Sequence, residues 1–304
     1  MRPQSVIIPK PATHSLFLTF TIKDKSRKLA STIVDIDKYV TKLKKIARVN
    51  NALSFGEAYW KAIAPTPEAI PKGIRTFSGI DGDYSAPATG GDLFLHLNSR
   101  FADLNYEVAH NWFEPLKNEL QIIHEQACTR YLGERDLIGF IDGTENPKDA
   151  KTRKEVALLG VSDSNQLLAG SSFIFVQGYK HKLNKWKTLT VLQQEYLIGR
   201  TKEASLELGK DRKPPTSHIS RVVIKENGEE LEILRHSMPY FSVKGSKGSM
   251  FVAYTKDLDI IEKMLARMYG KADRLHDHLM DYTTPTTGAM FFTPSQELLD
   301  SLKI

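Results

Sequence analysis

The chain of 304 residues contains a single cysteine, Cys128, and that scarcity removes whole classes of chemistry. An internal disulfide needs two thiols, and Cys-x-x-Cys zinc ribbons, iron–sulfur clusters and covalent Cys-x-x-Cys-His haem attachment need at least as many. Any cofactor is therefore held some other way. No window approaches the roughly 18 apolar residues of a membrane span. The N-terminal MRPQSVIIPKPATHS has one arginine and no sustained apolar segment, so neither a secretory nor a twin-arginine signal is expected. Gly-x-Gly-x-x-Gly, the P-loop and His-Glu-x-x-His are also missing, which excludes the commonest dinucleotide, nucleoside triphosphate and zinc protease signatures.

What is present is an ordinary globular composition, 41% hydrophobic and 26% charged, which argues against disordered, collagen-like and fibrous proteins. The length suits about two domains. A net charge of +6 invites a nucleic-acid partner. The basic clusters Lys23 to Lys28, Lys42 to Lys45 and Lys210 to Lys213 are nevertheless short and interleaved with acids or apolar residues, the pattern of solvated faces. A soluble, cytoplasmic protein with neither a nucleic-acid nor a membrane partner is expected.

Four short apolar runs have the look of buried strands: Ser15–Phe20, Asp92–Leu97, Ser171–Val176 and Ser249–Tyr254. The first two start 77 positions apart and the last two 78, so one spacing occurs twice. Shifting the first pair by 156 or 157 positions lands on the second, the arithmetic of a duplicated unit of about 155 residues. Amphipathic stripes follow the strands. Leu29, Ile33, Ile36, Val40, Leu43 and Ile46 predict a helix over Arg27–Val49. Phe101, Leu104, Val108 and Trp112 predict a second ending before Pro115, and Leu258, Ile261, Leu265 and Met268 a third ending at Gly270. Shorter pieces are expected around Leu183–Leu189 and Gln193–Ile198. The reading is an α+β protein of two ferredoxin-like halves, 1–155 and 156–304, each an antiparallel sheet covered by helices, with the boundary near Pro147–Lys154.

Two segments could carry chemistry. His218 follows Lys213-Pro214-Pro215-Thr216-Ser217 and precedes the strand-like Ile219–Ile224, so a stiffened approach presents an imidazole at the start of an apolar run. The other is Gly139-Phe-Ile-Asp142-Gly-Thr-Glu145-Asn-Pro147. A surface loop with Asp-Gly and Asn-Pro turns would explain it. Alternatively, the apolar Leu137–Ile141 places Asp142 in a desolvated setting that calls for a compensating cation. His276 and His278 lack a third ligand at a convincing spacing and are expected on an exposed helix face.

These residues, with Arg235 downstream, resemble the dye-decolourising peroxidase family, haem enzymes of two ferredoxin-like halves. The resemblance spans nearly the whole chain: GFIDGTENP, Ser217-His-x-x-Arg221, Leu234-Arg-His-Ser-Met-Pro-Tyr240 and the segment MDYTTPTTGAMFFTP from Met280 to Pro294. Length and lack of an export signal are similar to the cytoplasmic B-type branch. The resemblance implies one non-covalent haem b per chain, in a pocket mainly of the second half. It makes His218 the iron ligand, with Asp281 as the acceptor for its other ring nitrogen. Asp142 is the implied acid–base residue and Arg235 the arginine beside it. Ser237 stands where some relatives carry Asn, and Arg221 and Glu145 frame the haem propionates. Hydrogen peroxide would be reduced and bulky one-electron donors such as dyes, phenolics or porphyrinogens oxidised, by a homo-oligomer.

Two other readings remain at this stage. A haem-handling protein, porphyrinogen oxidase or deferrochelatase-like enzyme needs the same pocket. Lys247-Gly-Ser-Met-Phe251-Val-Ala-Tyr254 partly fits an RNA-recognition signature on a ferredoxin-like fold, although Ser249 replaces a stacking aromatic. Trp60, Trp112 and Trp186 could pass electrons, but packing is the expected role.

Overall fold

The computed structural model describes residues 1–43, 45–160 and 165–303. Lys44 of the Lys42–Lys45 cluster and Ile304 of the second half lie outside them. The first half runs β1 (His14–Ile22), α1 (Arg27–Ile33), α2 (Asp37–Lys42), β2 (Val49–Phe55), α3 (Glu57–Ile63), β3 (Leu93–Ser99), α4 (Ala102–Phe113) and β4 (Leu120–Thr129). Helix α5 (Ala150–Ala157) spans the expected boundary, and β5 (Ser172–His181), α6 (Leu183–Trp186), α7 (Val191–Ile198) and α8 (His218–Val222) follow. The short strands β6 (Lys225–Glu226), β7 (Glu229–Glu230), β8 (Leu234–Arg235) and β9 (Met238–Phe241) lead to β10 (Lys247–Thr255). The chain closes with α9 (Leu258–Met268), β11 (Thr283–Pro285), β12 (Ala289–Thr293) and α10 (Gln296–Asp300).

The duplication is visible in the pairing. The main sheet has the order β4-β1-β3-β2-β12-β5-β10-β8. Reading β5, β8, β10 and β12 as the second unit's first to fourth strands, both units have the order fourth, first, third, second, the ferredoxin-like arrangement. The four expected strands are the paired central ones: β1 lies against β3, with Leu16 opposite Leu97, and β5 against β10, with Val176 opposite Val252. A strand buried on both faces reads as a nearly continuous apolar run, which is why these four stand out. The units meet where Phe55 of β2 faces Phe292 of β12, and Ser54 Oγ and Thr293 Oγ1 share a buried hydrogen bond of 2.7 Å.

Helices cover one face, and their apolar side chains form the larger core with Trp60, Trp112, Phe20 and Phe55. The expected helix over Arg27–Val49 is broken. Asp35 leaves helical geometry (φ −83°, ψ 23°), and a 3-10 turn at Val34–Ile36 separates α1 from α2. The inner stripe survives the kink because Leu29, Ile33, Ile36 and Val40 all stay buried, whereas Ile46 is exposed and Val49 already belongs to β2. The residues after His218 are also not a strand. Ile219–Val222 form the short helix α8, docked on α9 by the buried Arg221, whose guanidinium donates to the Arg267 carbonyl at 3.0–3.1 Å and pairs with Asp273. Tertiary contact overrides the β-propensity of that run.

Candidate active site

A cleft of about 1490 Å³, part of it open to solvent, lies between the helix-covered face of β10 and a shell made by α8, α9 and the loop 136–145. Its walls are largely apolar: Phe140, Ile219, Phe251, Ile261, Met264 and Leu265 are among the lining side chains. Among the residues that reach the same space are His218, Asp142, Glu145, Arg200, Arg235 and Ser237.

His218 is the first residue of α8. Its Nδ1 stands 2.6 Å from Oδ2 of Asp277, a carboxylate with no solvent exposure. The other Asp277 oxygen accepts the Leu279 N–H at 2.9 Å, and the His278 N–H donates to the Thr216 carbonyl at 3.1 Å. The turn carrying Asp277 and the segment carrying His218 are thereby tied together. Nε2 of His218 makes no hydrogen bond among the described residues. Asp281, the acceptor expected from the family resemblance, lies one turn further on. It takes the Tyr84 hydroxyl and lies 3.6 Å from Nε2 of His276. The expectation therefore moves to Asp277. His276 and His278 are not on a helix face: His276 stacks on Tyr84 at 4.3 Å and His278 opens the 3-10 turn that Asp277 caps.

On the loop side, the apolar run before Asp142 is an anchor. Ile138 and Phe140 pack with Trp186 and Ile198, and the Trp186 indole donates to the Ile138 carbonyl at 3.0 Å. Asp142 is thus placed on the cavity wall and otherwise enclosed by protein. Burial pushes its carboxyl up, and Asp136 adds to that, while the Arg235 guanidinium, the Gly143 N–H and His218 pull it down. Burial wins. Asn146 clasps the backbone of Arg235 from both sides, its Nδ2 donating to the Arg235 carbonyl and its Oδ1 accepting the Arg235 N–H, each at 2.8 Å. The Asn-Pro turn is therefore also the tie between the Asp142 loop and β8. Ser237 lines the cavity and, with Asp142 and Arg235, also a second cleft.

Glu145 reaches the cavity and pairs with Arg200, a residue that sequence reasoning missed. Arg200 also donates to the Ser205 carbonyl at 2.5 Å, and its buried Nε has no hydrogen-bond partner among the described residues. Arg221 does not line this cleft; its contacts with Arg267 and Asp273 bind helix to helix, so its expected place at the propionates is corrected. Asp277 and Arg200 carried no local signal, because each acquires its neighbour only through folding. The tryptophans pack: Trp60 and Trp112 are buried and donate to backbone carbonyls at 2.9 Å. Tyr254 is fully buried and Phe251 faces the cleft, so the RNA-recognition pattern presents no exposed aromatic platform.

The donor set fits haem. A broad apolar slot suits a porphyrin, an imidazole oriented by a carboxylate suits iron, and an unpartnered buried guanidinium nitrogen suits a carboxylate substituent. Fold and site together define the class: a haem oxidoreductase on a duplicated ferredoxin-like scaffold. Family comparison agrees. The Dyp-type peroxidase N-terminal profile matches residues 4–127 and the C-terminal profile residues 133–298. The chain is 34% identical to the dye-decolorizing peroxidase of Brevibacterium linens, covering 98% of this chain and 82% of that one. Among solved structures, a dye-decolorizing protein from V. cholerae superposes with a TM-score of 0.91 at 34% identity over 98% of both chains. A Rhodococcus jostii RHA1 DypB variant in complex with haem gives 0.90 at 32% identity, over 99% of this chain and 98% of that one.

The chain belongs to the Dyp-type peroxidase family, with haem as its cofactor and peroxide reduction as its activity, and its neighbours are consistent with the B-type branch. The haem-handling and RNA-binding readings are not favoured. No helix among the described residues is long and apolar enough to cross a membrane.

Proposed function

We propose that His218 binds the haem iron through Nε2, that Asp142 moves the peroxide proton, and that Arg235 stabilises the negative charge that develops beside it. The observation that carries this reading is the meeting in one cleft of the Asp277-bound imidazole with Asp142 and Arg235. Haem, when bound, supplies the redox chemistry that links peroxide reduction to oxidation of one-electron donors. The remaining roles fall to side chains. Asp277 accepts the Nδ1 proton of His218 and leaves the Nε2 lone pair free. Asp142, as carboxylate, takes a proton from one peroxide oxygen and returns it to the other, which leaves as water; positioned acid–base transfer of this kind is worth roughly 10²–10⁴ in rate. The Arg235 guanidinium favours the ionised form of Asp142. Asn146 holds Arg235 in place, Ser237 offers a hydroxyl on the same wall, and Arg200 with Glu145 frames the propionates.

In this reading the haem is of the non-covalent b type, one per chain, with 1–155 and 156–304 as the duplicated halves. The setting is the cytoplasm, which suits a lone buried thiol at Cys128. A homo-oligomer, checked by light scattering, and a bulky aromatic reductant complete it. The test is substitution. His218→Ala loses the Soret band of the purified protein, and retention of a normal histidine-ligated spectrum would exclude it as the ligand. Asp142→Asn and Arg235→Leu keep the band but slow the stopped-flow reaction with peroxide by roughly 10²–10⁴; unchanged rates in both would remove the proposed pair.

A further inference from the structure

A second ionisable pair lines the same cleft. Asp136 stands six positions before Asp142 in the loop that presents it, and His181 ends β5. Nε2 of His181 is 3.1 Å from Oδ1 and 3.2 Å from Oδ2 of Asp136, and its Nδ1 is 3.0 Å from Oγ1 of Thr283 on the adjacent strand β11. Both side chains are nearly buried, with 7% and 14% of their surface exposed. We propose that the Asp136–His181 pair is a positioning and charge-setting unit for Asp142.

The positioning part follows from the loop's own hydrogen bonds. Asp136 donates its N–H to the Phe140 carbonyl at 2.8 Å and accepts the Gly139 N–H at 2.9 Å, while its Oδ1 accepts the Ile138 N–H at 3.0 Å. The loop is thus folded back on Asp136, and the Asp142 N–H reaches the Glu134 carbonyl at 2.9 Å. His181 fastens this fold to the sheet. An Asp136→Asn change leaves a side-chain oxygen for the Ile138 N–H, so the loop can keep its shape without the charge.

The charge part follows from chemistry. A histidine–carboxylate pair carries a net charge of zero or minus one according to the imidazole proton. The charged and titratable groups set against Asp142 are Arg235 from β8, His218 from α8, Asp136 from its own loop, and the Arg200–Glu145 pair that shares the cleft. On the second cleft that Asp142 also lines stand Lys10, Arg130, Glu134, Arg135, Lys148 and Arg153, and Arg135 donates to the Gly139 and Lys202 carbonyls at 2.7 Å. Glu145 is paired with Arg200, whereas Asp136 opposes ionisation of Asp142, and His181 is the partner able to cancel the Asp136 charge. The pair makes no hydrogen bond to His218 among the described residues, and its effect is assigned through Asp142, on whose carboxyl Asp136 acts as a neighbouring charge.

The inference rests on Asp142 as the proton-transfer residue, and its test separates the two. Infrared titration of the holoenzyme follows the Asp142 carboxyl band, identified by its loss in Asp142→Asn, alongside the pH profile of the stopped-flow peroxide reaction. Asp136→Asn moves the Asp142 midpoint down by about 0.5–1 pH unit, and Asp136→Glu returns it toward the parent value. His181→Gln, which can still donate to Asp136 but carries no proton to cancel its charge, moves the midpoint up by a similar amount. A midpoint unmoved in either Asp136→Asn or His181→Gln, with haem absorption and circular dichroism intact, overturns the inference. If the infrared midpoint moves and the rate profile does not follow it, the coupling stands and the role of Asp142 in proton transfer fails.

Discussion

At the scale of single residues, two carboxylates in this cleft are held in opposite ways. Asp277 has no exposure but is fully engaged, one oxygen on His218 and the other on a backbone N–H. Asp142 faces the cavity with few partners, and burial pushes its carboxyl above the ordinary value near 3.9. Desolvation outweighs the opposing pull of the Arg235 cation. With Asp142 acting as a carboxylate in the proposed mechanism, the acid limb of the peroxide reaction is expected at a higher pH than an unperturbed aspartate would give, read from the rate against pH. The stability sign is the reverse. A group whose folded pKa is raised contributes stability below its unfolded pKa and loses it as pH rises through the folded value. Asp142→Asn therefore raises the thermal midpoint at pH 7 relative to the parent, and the gain shrinks toward pH 3. For Asp277, removal of the charge by Asp277→Asn weakens haem retention by roughly 10–100-fold, the usual size of such an effect, measured by haem transfer to an acceptor protein.

At the scale of elements, the central strands were legible because a strand buried on both faces is apolar throughout. Helix α9 was legible because its buried residues, Leu258, Ile261 and Leu265, repeat at helical spacing. Helix α8 was not. Its five residues carry a strand-like pattern, and what makes them helical is Arg221 reaching the end of α9. The Lys247-Gly248 of the RNA-like pattern has an equally local cause: a Cβ on Gly248 would sit 1.8 Å from the Tyr179 carbonyl oxygen and 2.7 Å from the Tyr240 hydroxyl. The backbone of β10 approaches β5 that closely. Gly248→Ala forces the two strands apart at the wall of the cleft and costs about 1–3 kcal/mol, visible as a lower denaturant midpoint.

At the scale of the whole molecule, the seam between the halves decides whether there is a site. Phe292 of β12 packs on Trp60 from the first half at 5.0 Å and on Phe173 of β5 at 5.9 Å. The N-terminal segment crosses the same seam, with the buried Gln4 amide donating to the Leu53 carbonyl at 2.8 Å and the Pro294 carbonyl at 3.0 Å. Phe292→Ala removes a ring with no solvent exposure and costs about 3–5 kcal/mol. Thermal melts followed by circular dichroism and by the Soret band should fall together, since one seam supports both; a Soret loss well separated from the main transition would contradict this.

The amino-acid sequence by itself determined the duplication, the four central strands and the two segments holding His218 and Asp142, because periodic burial and local motif are written along the chain, and the family resemblance added Arg235. Only the tertiary structure decided that Asp277 rather than Asp281 holds His218, that Asn146 clasps Arg235, and that burial outweighs the cation at Asp142. These outcomes depend on distances between residues far apart in sequence and on how much water the packed halves exclude, and neither quantity exists until the chain has folded.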